Sequence, residues 1–141
     1  MFLVFAWFPP YWERHGRWLV DGDMVRLLGV VLFIAGGVLR IWPMWALGRR
    51  FTWFDATHER HVLVTDGPYR WIRNPSYLGG LMNLLGWMLV FRSGAGVVLV
   101  ALGVVPTVGM ILVEESNLAA EFGGEYDSYR RRTWRLLPWV Y

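Results

Sequence analysis

The polar positions of this chain fall in blocks, and the apolar stretches between them are long enough to decide its class. From Asn74 to Val113 run 40 residues with one formal charge, Arg92. A bilayer core takes about 20 apolar helical residues to cross. The stretch therefore divides into 74–91, of 18 residues, and 93–113, of 21. Arg92, followed by Ser93-Gly94-Ala95-Gly96, supplies a turn, so the pair reads as a helix hairpin. Upstream, 27–48 has 22 residues interrupted only by Arg40 and reads as another spanning helix, kinked or ended near Pro43. Helices of a soluble bundle carry a polar face, and these show none. Residues 1–12 are apolar but too short to span, and Pro9-Pro10 would stop a helix. They read as an interfacial anchor, a half-helix or the remnant of a longer span. A cleaved signal peptide is not expected, because a basic n-region and a small-residue cleavage site are both missing.

The expected fold is all-α: an integral membrane bundle of about three spanning helices, with a helix hairpin and a C-terminal amphipathic helix in the cytosol. One domain, 1–141, divides into an N-terminal segment 1–26, a span 27–48, a polar segment 49–73, the hairpin 74–113 and a polar tail 114–141.

Composition agrees with a membrane and narrows the chemistry. Charged residues make up 18% and aromatic ones 17% of the chain, against about 25% charged in ordinary soluble domains. All 14 basic residues are Arg, and Cys is absent. That excludes a disulfide scaffold, a thiolate metal site and a Cys nucleophile. A net charge of +3 on so aromatic a chain does not point to nucleic acid. Nine Arg (49, 50, 60, 70, 73, 130, 131, 132 and 135) share one side of the expected topology, and four (14, 17, 26 and 92) the other. The positive-inside bias places the larger set, with both polar segments, in the cytosol; a prokaryotic inner membrane is the expected location.

The first polar segment, 61–80, has a turn signal at Asp66-Gly67-Pro68 and a helix start, with Asn74 as N-cap and Pro75 in first position. The positive end of that helix, with Arg73 beside it, suits an anion; the alternative is that Arg70 and Arg73 only snorkel to lipid phosphates. The second segment, 114–138, carries Leu118, Phe122, Tyr126 and Tyr129 at spacings of one helix face. Glu114 and Glu115 close the last span. Neighbours on a helix point about 100° apart, so one of the pair can face a pocket while the other faces water or an Arg. The triplet Arg130-Arg131-Arg132 suits anionic headgroups. His58 and His61 share a helical spacing but lack a third ligand, so no metal site is expected. Nor does a dinucleotide or P-loop fingerprint occur.

Together these segments resemble the isoprenylcysteine carboxyl methyltransferase and phospholipid methyltransferase group. The resemblance lies in His61…Gly67-Pro68-Tyr69…Arg73-Asn74-Pro75-x-Tyr77-Leu78-Gly79, an apolar hairpin, then Glu114-Glu115-x-x-Leu118-x-x-x-Phe122-Gly123-x-Glu125-Tyr126-x-x-Tyr129 and Arg135-x-x-Pro138. It covers about residues 58 to 138. It implies an integral membrane enzyme using S-adenosyl-L-methionine on a lipophilic or lipid-linked acceptor, with membrane lipids around it and no obligate protein partner. By analogy His61, Leu63, Val64, Gly67 and Tyr69 wrap the cofactor. Arg73, Asn74, Pro75 and Tyr77 line its methionine or ribose side, and Glu114 and Glu115 close the pocket. Glu115 or His61 would take a proton where the acceptor must lose one. Many relatives have His where this chain has Asn74, and several have an Arg about one turn before the paired Glu, where Met110-Ile111-Leu112-Val113 is apolar. Arg40 is the candidate to replace that Arg in catalysis, with lipid snorkelling as its alternative role. Two other classes stay open: an NADPH-dependent sterol-type reductase on a related scaffold, and a non-enzymatic membrane protein.

Overall fold

The computed structural model describes residues 22–47 and 63–140. Four α-helices make up most of this part: α1 (Asp23–Leu47), α2 (Pro75–Val90), α3 (Gly94–Phe122) and α4 (Gly124–Arg130), with a 3-10 helix at Gly67–Arg70 before α2. Residues 1–21 of the expected N-terminal segment, His58 and His61 lie outside the described residues.

Helix α1 begins where Gly22 leaves its carbonyl to the N–H groups of Val25 and Arg26, at 3.1 and 3.3 Å. Asp23 in the first turn complements the helix dipole. The helix runs through Pro43 to Leu47, so the proline does not end it. The hairpin turn is shorter than expected. Gly94 and Gly96 are already helical, because Ser93 caps α3 by accepting from the Gly96 N–H at 3.1 Å. Arg92 holds the turn with φ 52°. Its guanidinium lies 3.8 Å from Asp23, so the start of α1 and the hairpin turn share one end of the bundle.

What joins α1 to α2 is a seam of glycines with their backbones in contact. A Cβ on Gly36 would lie 2.6 Å from the Gly79 carbonyl and the Asn83 nitrogen. One on Gly86 would lie 2.6 Å from the Gly29 carbonyl. The seven-residue spacing is the same on both helices, which run antiparallel, and only residues without a side chain permit this approach. Asn83 adds an interhelical bond, its Nδ2 donating to the Phe33 carbonyl at 2.7 Å. Phe33, Trp87 and Phe91 stack alongside, with centroids 5.7 and 4.7 Å apart.

Away from this seam the helices show apolar side chains to their surroundings: Leu27, Val31, Ile34 and Val38 on α1, and Leu102, Val105, Met110 and Val113 on α3 are all exposed. Such a surface belongs to lipid. Helices α1 and α3 are long and apolar enough to cross a membrane. Helix α2, with 16 residues, spans about 24 Å at roughly 1.5 Å per residue, short of a core of about 30 Å.

Helix α1 starts at Asp23, four residues before the expected span, and two boundaries at the polar end differ from the sequence expectation as well. The second hairpin helix does not stop at Val113 but continues to Phe122, carrying Glu114 and Glu115 with it. The amphipathic stretch of the tail is not one helix. Gly123, at φ 52°, ends α3 and α4 starts afresh, so Leu118 and Phe122 sit on α3 while Tyr126 and Tyr129 sit on α4. Beyond α4 the chain returns to the start of α2, where Ile72 and Trp134 form a parallel bridge.

If the glycine seam sets the distance between α1 and α2, Gly79→Val should be destabilising by about 1–3 kcal/mol, the usual cost of overpacking. Gly103→Val, whose Cβ would meet nothing within 4 Å, should change stability little. Thermal unfolding of both variants in one detergent checks this.

Candidate active site

The polar end of the bundle is organised around Glu115, which is only 5% exposed. Its Oε1 accepts from Arg73 Nε at 3.0 Å and from Asn74 Nδ2 at 3.1 Å, and its Oε2 from Arg135 Nε at 2.9 Å. Arg73 Nη1 donates further to the carbonyls of Arg130, at 2.9 Å, and Thr133. Asn74 Nδ2 also reaches the Arg135 carbonyl at 3.2 Å. One buried carboxylate thus fastens α3, the start of α2 and the tail together.

This arrangement corrects one local expectation. Asn74 makes no side-chain cap on α2, since its amide is turned to the carboxylate; Pro75 does occupy the first helical position. Arg73 turns its Nε to Glu115 and its Nη1 to backbone carbonyls. Among the described residues no three acids or histidines converge as metal ligands.

Glu114, the neighbouring acid, points elsewhere. It is exposed, and its Oε2 accepts from the Tyr77 hydroxyl at 2.9 Å. Tyr77 also lines a cleft of ≈ 370 Å³ with Arg40, Ser76, Gly80, Leu81, Leu84 and Thr107, between α1, α2 and α3. Its apolar lining is leucine, and its polar lining includes one cation, Arg40. The Arg40 Nη1 lies 3.4 Å from where a Cβ on Gly80 would be.

The segment before α2 is shaped by its glycine and proline. Gly67, at φ 60°, takes the left-handed turn that lets Pro68 start the 3-10 helix. Leu63 and Val64 precede it half-buried. The Tyr69 carbonyl accepts from the Tyr129 hydroxyl at 2.8 Å, which pins the segment to α4. Burial and then the Glu114 charge raise the Tyr69 pKa, and burial raises that of Tyr129. Tyr126 is buried with a hydroxyl that finds no partner, and burial, then Glu115, raises its pKa as well.

The structure therefore brings Leu63, Val64, Gly67, Tyr69, Arg73, Asn74, Pro75, Tyr77, Glu114 and Glu115 to one end of the bundle, with Arg40 across the cleft; His61 lies outside the described residues. Arg135 and Thr133 were missed as members of the cluster. Arg135 stood in the tail motif, and the one available signal was that a buried carboxylate at the end of a span calls for more than one cation.

The fold and the site define a helical membrane protein with a buried carboxylate cluster at one end and an amphipathic cleft opening beside it. The phospholipid methyltransferase family model matches residues 24–125, and the chain belongs to that family. A probable protein-S-isoprenylcysteine O-methyltransferase of Oryza sativa is 29% identical over 98% of this chain and 68% of its own length. Methanethiol S-methyltransferase 2 of Bradyrhizobium diazoefficiens is 30% identical over 98% of this chain and 54% of its own. Among solved structures, the eukaryotic intramembrane Ras methyltransferase, an isoprenylcysteine carboxyl methyltransferase, superposes with TM-score 0.68 at 27% identity, over 83% of this chain and 43% of that one. The chain thus spans about half the length of two of these three relatives. All three are methyltransferases; a hydride-transferring reductase finds no counterpart among them.

Two outcomes follow from the geometry. Glu115→Ala leaves two guanidinium groups without their carboxylate and should cost about 3–5 kcal/mol of stability. Combining Glu115→Gln with Arg73→Met should cost less than the two single changes summed, and strict additivity of unfolding free energies would contradict the shared bond. The raised pKa values of Tyr69 and Tyr129 mean that the folded state holds these protons more tightly than the unfolded one. Their contribution is complete below the ordinary tyrosine pKa of about 10 and is lost as pH rises through the folded values. Thermal midpoints should fall above about pH 10, and less steeply in Tyr129→Phe.

Proposed function

We propose that this chain is an S-adenosyl-L-methionine-dependent methyltransferase that acts at a membrane on a lipophilic or lipid-linked acceptor. The observation that carries the reading is the meeting of two surfaces at Glu114. The segment 63–77, held by the Glu115 cluster, approaches it on one side through Tyr77, and the cleft with its leucine lining adjoins Tyr77 on the other. The chain's own residues suit the cofactor. A carboxylate beside a phenol, Glu114 with Tyr77, is complementary to a cation such as a sulfonium or ammonium. Leu63, Val64 and Gly67 offer apolar and backbone surface for an adenine, with His61 from the adjoining sequence. Asn74, Pro75 and the start of α2 border the same place.

When bound, S-adenosyl-L-methionine supplies an activated methyl group for in-line transfer. The protein's part is to align the acceptor and keep water out. In this reading Tyr77 and Glu114 orient the two partners where the pocket meets the cleft. Leu81 and Leu84 receive the apolar body of the acceptor, and Arg40 faces its reacting end. Arg73 and Glu115, bonded to each other, position the segment rather than exchange protons. Helices α1, α2 and α3 serve as three spans, α2 completed by its flanking residues. The end bearing Arg70, Arg73 and Arg130–Arg135 lies in the cytosol, at the inner membrane of a prokaryotic cell.

Methyl transfer from labelled S-adenosyl-L-methionine to a panel of prenyl thiols, prenylcysteines and phospholipids in nanodiscs tests this. Wild type should methylate at least one lipophilic acceptor and bind the cofactor by calorimetry, with no response to NADPH. Tyr77→Phe frees Glu114 from the bond that orients it. It should weaken cofactor affinity roughly tenfold or more, the scale of one bond to a charged group, in a protein that stays folded by circular dichroism. Absence of cofactor binding to folded wild type defeats the proposal.

A further inference from the structure

Beyond its first turn, helix α2 carries one side-chain amide, Asn83, in the middle of its apolar length. A polar side chain at that depth of a bilayer is costly unless bonded, and it is kept where it performs a task. Asn83 Nδ2 donates to the Phe33 carbonyl of α1 at 2.7 Å, and among the described residues that is its one side-chain hydrogen bond. Asn83 does not line the cleft of Arg40 and Tyr77, and the methyl-transfer reading gives it no role.

The bond falls where α1 is weakest. Gly36 and Gly37 follow Phe33 by one turn, and small-residue pairs are places where helices bend. In a regular helix the Phe33 carbonyl accepts from the Gly37 N–H, so the Asn83 amide adds a second donor at this point. Further on, Pro43 lacks the N–H that would bond the Leu39 carbonyl. Arg40 therefore stands in a short stretch between two breaks. Val38, Ile41 and Trp42 on that stretch are exposed, so it is held from its inner side. There Pro43 is fully buried, and a Cβ on Gly79 would lie 2.8 Å from the Arg40 backbone nitrogen. Glycine contacts set how closely α1 approaches. Having no side chains to interlock, they leave its rotation poorly specified. A hydrogen bond has a direction, and the one from Asn83 supplies it.

We propose that Asn83 is a positioning residue for Arg40: its amide holds α1 at the Gly36-Gly37 pair in the rotation that lays the Arg40 guanidinium beside Gly80 in the cleft. A lone polar side chain fixing how two apolar helices pair is the device that buried asparagines supply in coiled coils. Asn83 touches neither cofactor nor acceptor and acts through Arg40. What Arg40 does in the cleft rests on the methyltransferase reading; what Asn83 does rests on the contact of α1 with α2.

The chain has no Cys, so introduced cysteine pairs carry spin labels at those sites alone. Pulsed electron paramagnetic resonance in nanodiscs between labels at Ile41→Cys and Val105→Cys reads the Arg40 stretch against α3. The pair Leu28→Cys and Val105→Cys, with its α1 label before the glycine pair, is the reference. Both pairs should give one narrow distance distribution with Asn83 in place. Asn83→Leu should broaden or shift the first and leave the second unchanged. Adding Gly37→Ala, whose Cβ would meet the residue-83 side chain at ordinary contact distance, stiffens the weak point and should restore the first. In unlabelled enzyme, Asn83→Leu should lower kcat roughly three- to fifteenfold, the range of interhelical hydrogen bonds in membranes, with cofactor Kd unchanged by calorimetry. Identical distributions in wild type and Asn83→Leu, equal broadening of both pairs, or no recovery with Gly37→Ala would each overturn the proposal. So would an unchanged kcat, or a fall in kcat matched by weaker cofactor binding. Should Asn83→Leu fail to fold, Asn83→Ala takes its place in every comparison. Should wild type transfer no methyl group, the methyltransferase reading falls, and the label distances still decide whether Asn83 positions the Arg40 stretch.

Discussion

A single buried carboxylate holds the polar end of this protein together. Glu115 receives hydrogen bonds from Arg73, Asn74 and Arg135, which belong to segments 42, 41 and 20 residues away in sequence. A carboxylate taken out of water is tolerated only when its lone pairs are filled, and here both oxygens are. The two guanidinium groups exceed it by one charge. Carbonyls of Arg130 and Thr133 accept from Arg73 and stabilise that excess. The backbone bridge between Ile72 and Trp134 follows, because Arg73 and Arg135 flank the bridged residues and must both turn toward Glu115. Removing the carboxylate would therefore loosen the helix start, the tail and the bridge together.

The same constraint sets up the neighbouring chemistry by geometry alone. With Glu115 turned inward, Glu114 is rotated by about 100° and meets Tyr77 at the mouth of the cleft. Tyr77 stands there because Asn74, one turn earlier, is fixed to the carboxylate. Opposite, the glycine seam draws α1 against α2 until Arg40 stands over Gly80. The cleft is as wide as the seam allows: larger residues at Gly36 or Gly79 would push α1 away and carry Arg40 with it.

How much of this could be read in the sequence depends on the range of each interaction. The hairpin was legible, because the charges on either side of 74–113 mark its ends and a helix needs only its own residues to form. Pro75 at the first helical position and the divergence of the paired acids were legible for the same reason. The stop at Val113 was not, since a charge pair after an apolar run signals a solvent boundary, whereas Glu115 continues inward to partners that only the fold supplies. Asn74 failed as a cap because a long-range carboxylate outcompeted the local backbone. The seam of Gly29, Gly36, Gly79 and Gly86 went unread because glycines in one apolar segment acquire meaning only from those in another.

The apolar turn Met110-Ile111-Leu112-Val113 can be understood in the same terms. On α3 the residues facing α2 recur as Thr107, Ile111 and Glu114, a helical spacing. Thr107 lines the cleft and Glu114 bonds to Tyr77 of its lining, but Ile111 between them is fully buried. A cation at 111 would need a partner inside a packed core, where the nearest acid, Glu115, is already saturated. At 110, 112 or 113 the side chain is exposed on an apolar helix and would face lipid. Of the helices bordering the cleft, α1 is the one that delivers a guanidinium to its rim, from a position that crosses no packed layer. The glycine seam and the position of Arg40 are thus two parts of one solution: backbone contact brings the helix close, and its closeness lets a cation reach the cleft that α3 has no room to supply.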